Sequence, residues 1–252
     1  MPSIKGPNYG YNPNPRMSAN QIAEYLSANP ANRRRIRTEA KFPAKMITTR
    51  YEDARRAVAN HLTGDANALS GTLTSLKRRM DDDGVTDYKK QNCKLSTDAI
   101  DGFQGAEAKM DAGSGVTFKS SPLHGTKLNI EGVKVSVALD VVAQKIGKTE
   151  AKSVGGVVLV FSKDAGKAKD VPARCKAVAM LAHEVMKLHV KGGEKCDPTL
   201  CMAIDVFNAK IYRAKKQQKH LYASVESSCE EVSILWPSIK EPKGYDGPPV
   251  TN

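Results

Sequence analysis

The apolar run VGGVVLVF occupies residues 154–161 and is the strongest structural signal in the sequence. It is rich in valine and carries no polar side chain, which is typical of a central strand covered on both faces. Upstream, apolar and polar residues alternate over residues 133–143, as expected for a strand with one buried face. Glu131-Gly132 separates that strand from the apolar positions of residues 127–130 and predicts a tight hairpin turn.

Downstream of the central strand, Pro172 is placed to begin a helix, because proline suits the first helical turn. Two short strands are predicted at residues 200–207 and 210–213, and a last helix ends before Pro237. The order is three strands, a helix, two strands and a helix. It predicts an α+β (or α/β) fold in which a mixed β-sheet is flanked by helices.

The N-terminal half shows helical rather than strand periodicity. A short helix is predicted at residues 21–27 with Ser18 as its cap, and longer helical patterns begin at Ile47, Leu69 and Thr97. We therefore predict four parts: a flexible tail at 1–19, a helical subdomain at 20–112, an α/β subdomain at 120–237 and a flexible tail at 238–252.

Composition narrows the class of protein. The chain has 252 residues, 40% of them hydrophobic, and a formal net charge of +12, which indicates a globular protein with a real core and not a collagen-like or disordered chain. The first 20 residues contain no long apolar stretch, so we expect no secretory signal and no membrane partner. Five cysteines, an odd number, fit reduced thiols and a cytoplasmic location.

Basic residues occur in clusters, and a basic excess attracts polyanions. The alternative for any one cluster is a solvated helix face. Aromatic residues make up only 6% of the chain, which argues against a protein that binds single strands by stacking on their bases. The candidate nucleic-acid-binding residues are Arg33, Arg34, Arg35, Arg37, Lys77, Arg78, Arg79, Lys215, Lys216 and Lys219.

Acidic residues at predicted strand ends suggest a possible metal site. Asp140 and Asp205 would be metal ligands, since carboxylate oxygens suit Mg²⁺ or Mn²⁺, and Lys163 would assist an attacking water. Asp164 follows the lysine directly. The alternative is that these are strand-terminal charges that face solvent.

Other catalytic signatures are incomplete. His183 and His189 are six residues apart, whereas one metal needs two histidines four apart on a helix. Cys196 and Cys201 have a spacing at the upper limit for a zinc-ligand pair, and no second pair is evident. The chain has neither a P-loop nor a Gly-x-Ser-x-Gly elbow.

The element order, with Asp140 in VALDVV ahead of GGVVLVFSK, resembles the PD-(D/E)xK (restriction-endonuclease-like) nuclease superfamily over residues 125–235. The resemblance implies that Asp140 occupies the position of the family's first metal-binding aspartate. The positions of its acid and lysine are Leu159 and Phe161 here, so the active-site motif is degenerate. The chain also resembles bacterial proteins that join a helical, Arg-rich part to such an α/β part.

Three functions remain open on this basis. We expect a nucleic-acid-binding protein, with DNA or RNA as partner and no cofactor, built on a nuclease-like fold without a complete catalytic motif. The first alternative is a metal-dependent nuclease that uses Mg²⁺ or Mn²⁺ with Asp140, Lys163 and Asp205 as catalytic residues. The second is a basic subunit of a larger protein assembly.

Overall fold

A computed structural model describes residues 8–44, 50–123, 125–147, 152–162, 170–190 and 192–250. These residues form an α+β fold of seven α-helices and nine β-strands, which confirms the predicted fold class. The helices are α1 (Ala19–Ser27), α2 (Pro30–Lys41), α3 (Glu52–Leu62), α4 (Ala68–Asp81), α5 (Asp87–Glu107), α6 (Val171–His189) and α7 (Lys219–Leu235). The strands are β1 (Arg16–Ser18), β2 (Val116–Ser120), β3 (Thr126–Ile130), β4 (Val133–Val137), β5 (Val141–Ile146), β6 (Lys152–Val160), β7 (Glu194–Cys196), β8 (Met202–Asp205) and β9 (Lys210–Arg213). Within the described residues, no helix combines the length and apolarity that a membrane crossing needs.

The chain divides into two compact units, each assembled from segments that are distant in sequence. The terminal unit comprises Met1–Thr49, Lys127–Ser136 and Lys219–Asn252, and the central unit comprises Arg50–Thr126 and Val137–Gln218. Helices α1 and α2 therefore belong to the terminal unit and helices α3 to α5 to the central unit, although residues 20–112 were predicted to form one subdomain.

The terminal unit contains a three-stranded sheet in the order β1-β4-β3, with β1 parallel to β4. The predicted hairpin turn is present, and Glu131 and Gly132 have φ angles of 47° and 77°. Positive φ at both central residues is the geometry that suits a two-residue turn to the twist of its strands. The predicted Ser18 cap of α1 is confirmed, since Ser18 and Gln21 form a reciprocal capping box.

Helix α2 was absent from the sequence-based predictions. Its sequence, PANRRRIRTEAK, has no apolar stripe, and Ile36 and Ala40 are its buried apolar residues. The start of α2 is nevertheless marked in the sequence, because Asn29 caps the helix and Pro30 occupies the first turn. Periodicity alone misses a helix whose buried face is this narrow.

The two segments predicted as flexible tails contain described residues that contact each other. The backbone N–H of Asn8 donates to Asp246 Oδ1 at 2.8 Å, and the rings of Tyr9 and Tyr245 lie 5.9 Å apart. Trp236 Nε1 donates to the carbonyl oxygens of Asn12 and Pro13. These contacts join residues more than 220 positions apart, so no local sequence pattern predicts them.

The central unit contains a sheet whose strands follow the order β2-β5-β6-β8-β9, with β7 also paired to β6. Strand β6 is central and its residues from Val154 onward are buried, which confirms the prediction from its sequence. One face of the sheet packs on α3, α4 and α5 in a single core cluster that includes Val157 and Leu159. Helix α6 covers the other face, where Met186 approaches Gly156.

The strand predicted at residues 133–143 is two strands in different sheets. Strand β4 ends at Val137, and β5 begins at Val141 in the central unit. At the break, Asp140 donates its N–H to the Val157 carbonyl, and its carboxylate accepts the N–H of Leu159 at 2.7 Å. The side chain of Asp140 thus accepts a backbone hydrogen bond from β6. The alternation of apolar residues in the sequence cannot predict this bond.

Candidate functional site

Most of the Arg-rich cluster on α2 is engaged in ion pairs. Arg33 and Arg37 both contact Glu231 of α7 at 3.0 Å, and Arg35 contacts Glu24 at 2.6 Å and Glu39 at 2.8 Å. The guanidinium of Arg33 also lies 5.0 Å from the centre of the Tyr25 ring. Three of the four arginines that were predicted to bind phosphate are therefore paired with carboxylates of the terminal unit.

Tyr25 lies inside this network and is fully buried. Arg37 Nη1 donates to the Tyr25 hydroxyl at 2.6 Å. Burial and the nearby Glu231 carboxylate raise the pKa of Tyr25 to about 12. Arg34 is the exception in the cluster: it is exposed and, within the described residues, forms no ion pair.

The other predicted basic clusters are more open. Lys77 and Arg78 on α4 are exposed, while Arg79 pairs with Asp53 at 2.7 Å. Lys215, Lys216 and Lys219 are exposed near the start of α7. These residues are available to an anion, but nothing in their local geometry selects one.

A basic surface that the sequence analysis missed lies on the outer face of the small sheet in the terminal unit. We call it the basic sheet face and define it by Arg16, Lys127, Asn129 and Lys134, all exposed. Arg16 of β1 and Lys134 of β4 are directly paired across the two strands. No acidic residue occurs in β1, β3 or β4, and within the described residues none of the three cations forms an ion pair.

A partial signal for this face is present in the sequence. The strands TKLNI and VKVSV alternate polar and apolar residues, which places Lys127, Asn129 and Lys134 on one face. The sequence does not indicate that Arg16 belongs to the same face, because β1 has three residues and pairs with a strand about 118 positions later. Only the tertiary structure joins these cations into one surface.

The predicted metal ligand Asp140 is an ion-pair partner in the structure. Its side chain is 7% exposed, and both carboxylate oxygens lie 2.8 Å from Arg55 Nη1 of α3. The Arg55 guanidinium in turn lies 5.0 Å from the centre of the Phe161 ring, on which Tyr51 stacks. The carboxylate thereby links α3 to β6 on the face of the sheet that packs on α3 to α5.

Asp205, the second predicted ligand, points to the other face. It ends β8 and is 2% exposed, and it is paired with Val160, whereas its neighbour Ile204 belongs to the core cluster on the opposite side. Asn208 Nδ2 donates to Asp205 Oδ2 at 2.8 Å. The structure therefore does not bring Asp140 and Asp205 to a shared site.

Lys163 and Asp164 lie outside the described residues. Within the described part of the chain, no group of three or more His, Cys, Asp or Glu side chains is arranged to hold a metal ion. The metal-dependent nuclease consequently gains no geometric support from the positions of Asp140 and Asp205.

The ion pair between the buried Asp140 carboxylate and Arg55, whose side chain is 34% exposed, leads to a stability prediction. We expect Asp140→Ala to lower the free energy of unfolding by about 2–4 kcal/mol, because it leaves Arg55 and the Leu159 N–H without their acceptor. The exposed Asp83→Ala serves as a control and should change stability by less than about 0.5 kcal/mol. Urea unfolding followed by circular dichroism measures both, and equal stability of the two variants would contradict the structural role of Asp140.

Comparison with known proteins adds no family. No protein-family model matches the chain, and no curated protein shows significant similarity to it. The function must therefore be argued from the residues and geometry described above.

Proposed function

We propose that this protein binds DNA or RNA through contacts between the basic sheet face and the phosphate backbone. The observation that carries the proposal is the cross-strand pair of Arg16 and Lys134, which lie side by side in a sheet without acidic residues. Lys127 adds a third cation on the same face, and Asn129 adds an amide donor.

Like charges directly opposite each other destabilise a sheet, by up to about 1 kcal/mol for a pair. Elsewhere in the same unit, the fold places a carboxylate beside such charges, as Glu231 does for Arg33 and Arg37. The basic sheet face has no such partner within the described residues, so its charges remain available to an external anion. A polyanion would relieve the repulsion on binding.

The composition of the face favours phosphate contacts over base readout. The exposed positions of β1, β3 and β4 carry no aromatic side chain on which a base could stack. Lysine and arginine contacts to phosphate position a protein without reading sequence. The expected binding is therefore insensitive to sequence and strongly weakened by salt.

The test replaces the three cations together, in Arg16→Gln/Lys127→Gln/Lys134→Gln. Gel shifts with labelled double-stranded DNA, single-stranded DNA and RNA are run in EDTA at stepped salt. If each cation contacts one phosphate, the slope of log affinity against log salt should fall by about 2–3, and affinity near 0.1 M salt should fall by about 100-fold or more.

A variant with the same change in net charge provides the control. Lys89→Gln/Lys94→Gln/Lys109→Gln removes three exposed lysines on or after α5 and should leave the salt slope within about 0.5 of the original. Equal losses in both triple variants would refute the proposed face. Absence of any shift by the wild-type protein at low salt would refute nucleic-acid binding itself and favour the basic subunit of a protein assembly.

A further inference from the structure

Three side chains of the central unit that share no sequence motif, those of His183, Cys196 and Cys201, come together beside β6. Cys196 of β7 lies near Cys201 and near His183 of α6, close enough for both to lower the pKa of its thiol. Both cysteines are free thiols. From the sequence alone, the two cysteines were an incomplete zinc-ligand pair, and His183 was paired with His189 at a spacing unsuited to one metal.

The register of the sheet explains why the two thiols meet. Cys196 is paired with Val154 of β6, and the pairing of Met202 with Val157 places Cys201 beside Gly156. The two cysteines therefore lie about two positions apart along the same side of β6. At about 3.3 Å per residue, their Cα atoms are separated by about 6.6 Å, which is within the range that a disulfide spans.

The loop between the cysteines follows the same backbone closely. Residues Pro198–Leu200 form a short 3₁₀ helix, and the carbonyl carbon of Leu200 would lie 2.2 Å from a Cβ at Gly155. The backbone nitrogen of Cys201 would lie 2.6 Å from the same Cβ, so Cys201 also passes directly beside β6. These backbone contacts fix the position of Cys201 beside β6. The fold, and not a flexible segment, therefore brings Cys196 and Cys201 together.

The two thiols differ in environment. Cys201 is fully buried, whereas Cys196 is partly exposed. Hydrogen bonds from Cys201 and then His183 lower the pKa of Cys196, against the opposing effects of burial and Asp197. The contact with Cys196 and burial raise the pKa of Cys201. Cys196 is therefore the more acidic of the two thiols and loses its proton before Cys201 does.

His183 is held in position by neighbouring polar side chains. Gln218 Nε2 lies 3.3 Å from His183 Nδ1, and Glu184 Oε1 lies 3.8 Å from the same nitrogen. Only about 14% of the His183 side chain is exposed. An imidazole oriented in this way can stabilise a thiolate and can accept or return a proton.

We propose that Cys196 and Cys201 form a thiol–disulfide exchange site, in which Cys196 attacks a low-molecular-weight disulfide, Cys201 resolves the mixed disulfide and His183 is a positioning residue. A partly exposed nucleophilic thiol next to a buried resolving thiol is an arrangement that suits such chemistry. The site lies wholly in the central unit and is independent of the proposed nucleic-acid binding.

The reaction balances with a disulfide R–S–S–R as oxidant. The Cys196 thiolate forms a bond to one sulfur, the S–S bond breaks, and one thiolate leaves as R–S⁻ and takes up a proton. Cys201 then loses its proton and attacks the Cys196 sulfur, which releases the second R–S⁻. The two protein thiols lose two electrons and two protons, and the small disulfide becomes two thiols.

The test treats the reduced full-length protein with oxidised glutathione, blocks remaining thiols with N-ethylmaleimide and measures the intact mass. The wild-type protein should lose two of its five thiols and gain no glutathione. The Cys201→Ser variant should instead keep one glutathione adduct, and peptide mapping should place it on Cys196. A wild-type protein that retains all thiols, or an adduct on another cysteine, would overturn the proposal.

The remaining cysteines serve as internal controls. Cys93, Cys175 and Cys229 are buried, and burial raises the pKa of both Cys175 and Cys229 to about 12. They should not react in the folded protein, and Cys196→Ser should abolish both the disulfide and the adduct. Persistence of either product in Cys196→Ser would also overturn the proposal.

A second measurement needs no variant at the buried position. Alkylation of Cys196 by iodoacetamide in the wild-type protein at pH 6 should be about tenfold faster than alkylation of an ordinary exposed thiol. In His183→Gln the rate should fall several-fold while circular dichroism stays unchanged, and Gln218→Ala should have a smaller effect. An unchanged rate of Cys196 alkylation in His183→Gln would refute the role of His183 as a positioning residue.

Discussion

Replacing Gly155 with alanine is expected to lower the free energy of unfolding by at least about 3 kcal/mol, more than a typical overpacked core substitution. A Cβ at this position would lie 2.2 Å from the carbonyl carbon of Leu200, 2.4 Å from its oxygen and 2.6 Å from the nitrogen of Cys201. All three are backbone atoms, so no side chain can rotate away. Urea unfolding followed by circular dichroism measures the effect.

Gly71 offers a matched control for this substitution. It lies on the exposed side of α4, and no atom lies within 4 Å of its virtual Cβ. Gly71→Ala should therefore raise the free energy of unfolding by about 0.5–1 kcal/mol, because alanine favours the helix. If Gly155→Ala were as stable as Gly71→Ala, the Leu200–Cys201 backbone could not pass as close to β6 as described.

Trp236→Ala is expected to have the second large effect, a loss of about 3–5 kcal/mol. Trp236 is among the largest fully buried side chains, and it is the only tryptophan of the chain. Its indole donates to two N-terminal carbonyl oxygens, and its own carbonyl accepts from Lys41 Nζ at 2.8 Å. Truncation would create a cavity and remove the indole donor of the Asn12 and Pro13 carbonyl oxygens. Urea unfolding followed by circular dichroism serves all variants, and tryptophan fluorescence reports on the terminal unit of the wild type.

Two variants separate the contributions of ring and hydrogen bond. Trp236→Phe keeps most of the packing but removes the indole N–H, so it should cost about 1–3 kcal/mol. Ile234→Ala, at a site that is 70% exposed on α7, should change stability by less than about 0.5 kcal/mol. A Trp236→Ala variant as stable as Ile234→Ala would contradict the packing of the terminal unit.

The elements that could be predicted have strong local signals. Strand β6 is a continuous apolar run, α6 begins at its proline, and α4 repeats leucine at helical spacing. The hairpin turn at Glu131-Gly132 and the Ser18 cap likewise depend on residues within three positions of each other. Such signals act before any tertiary contact forms, so they can be read along the chain.

The elements that could not be predicted depend on distant partners. Helix α2 lacks an apolar stripe, and its arginines are held by Glu231 almost 200 positions away. The division of residues 133–143 into β4 and β5 depends on the hydrogen bonds of Asp140 with β6. Asp140 and Asp205 were predicted to form one metal site at the strand ends. In the structure, side-chain alternation places them on opposite faces of the sheet.

The sequence by itself determined the α+β class, the central strand and the net charge of +12, because hydrophobic periodicity and composition are properties of the chain alone. Only the tertiary structure decided which charges are free and which thiols meet. It neutralises Arg33, Arg35 and Arg37 with carboxylates while it leaves Arg16 beside Lys134. It also brings Cys196, Cys201 and His183 together on one side of β6, because sheet register and helix packing set their positions.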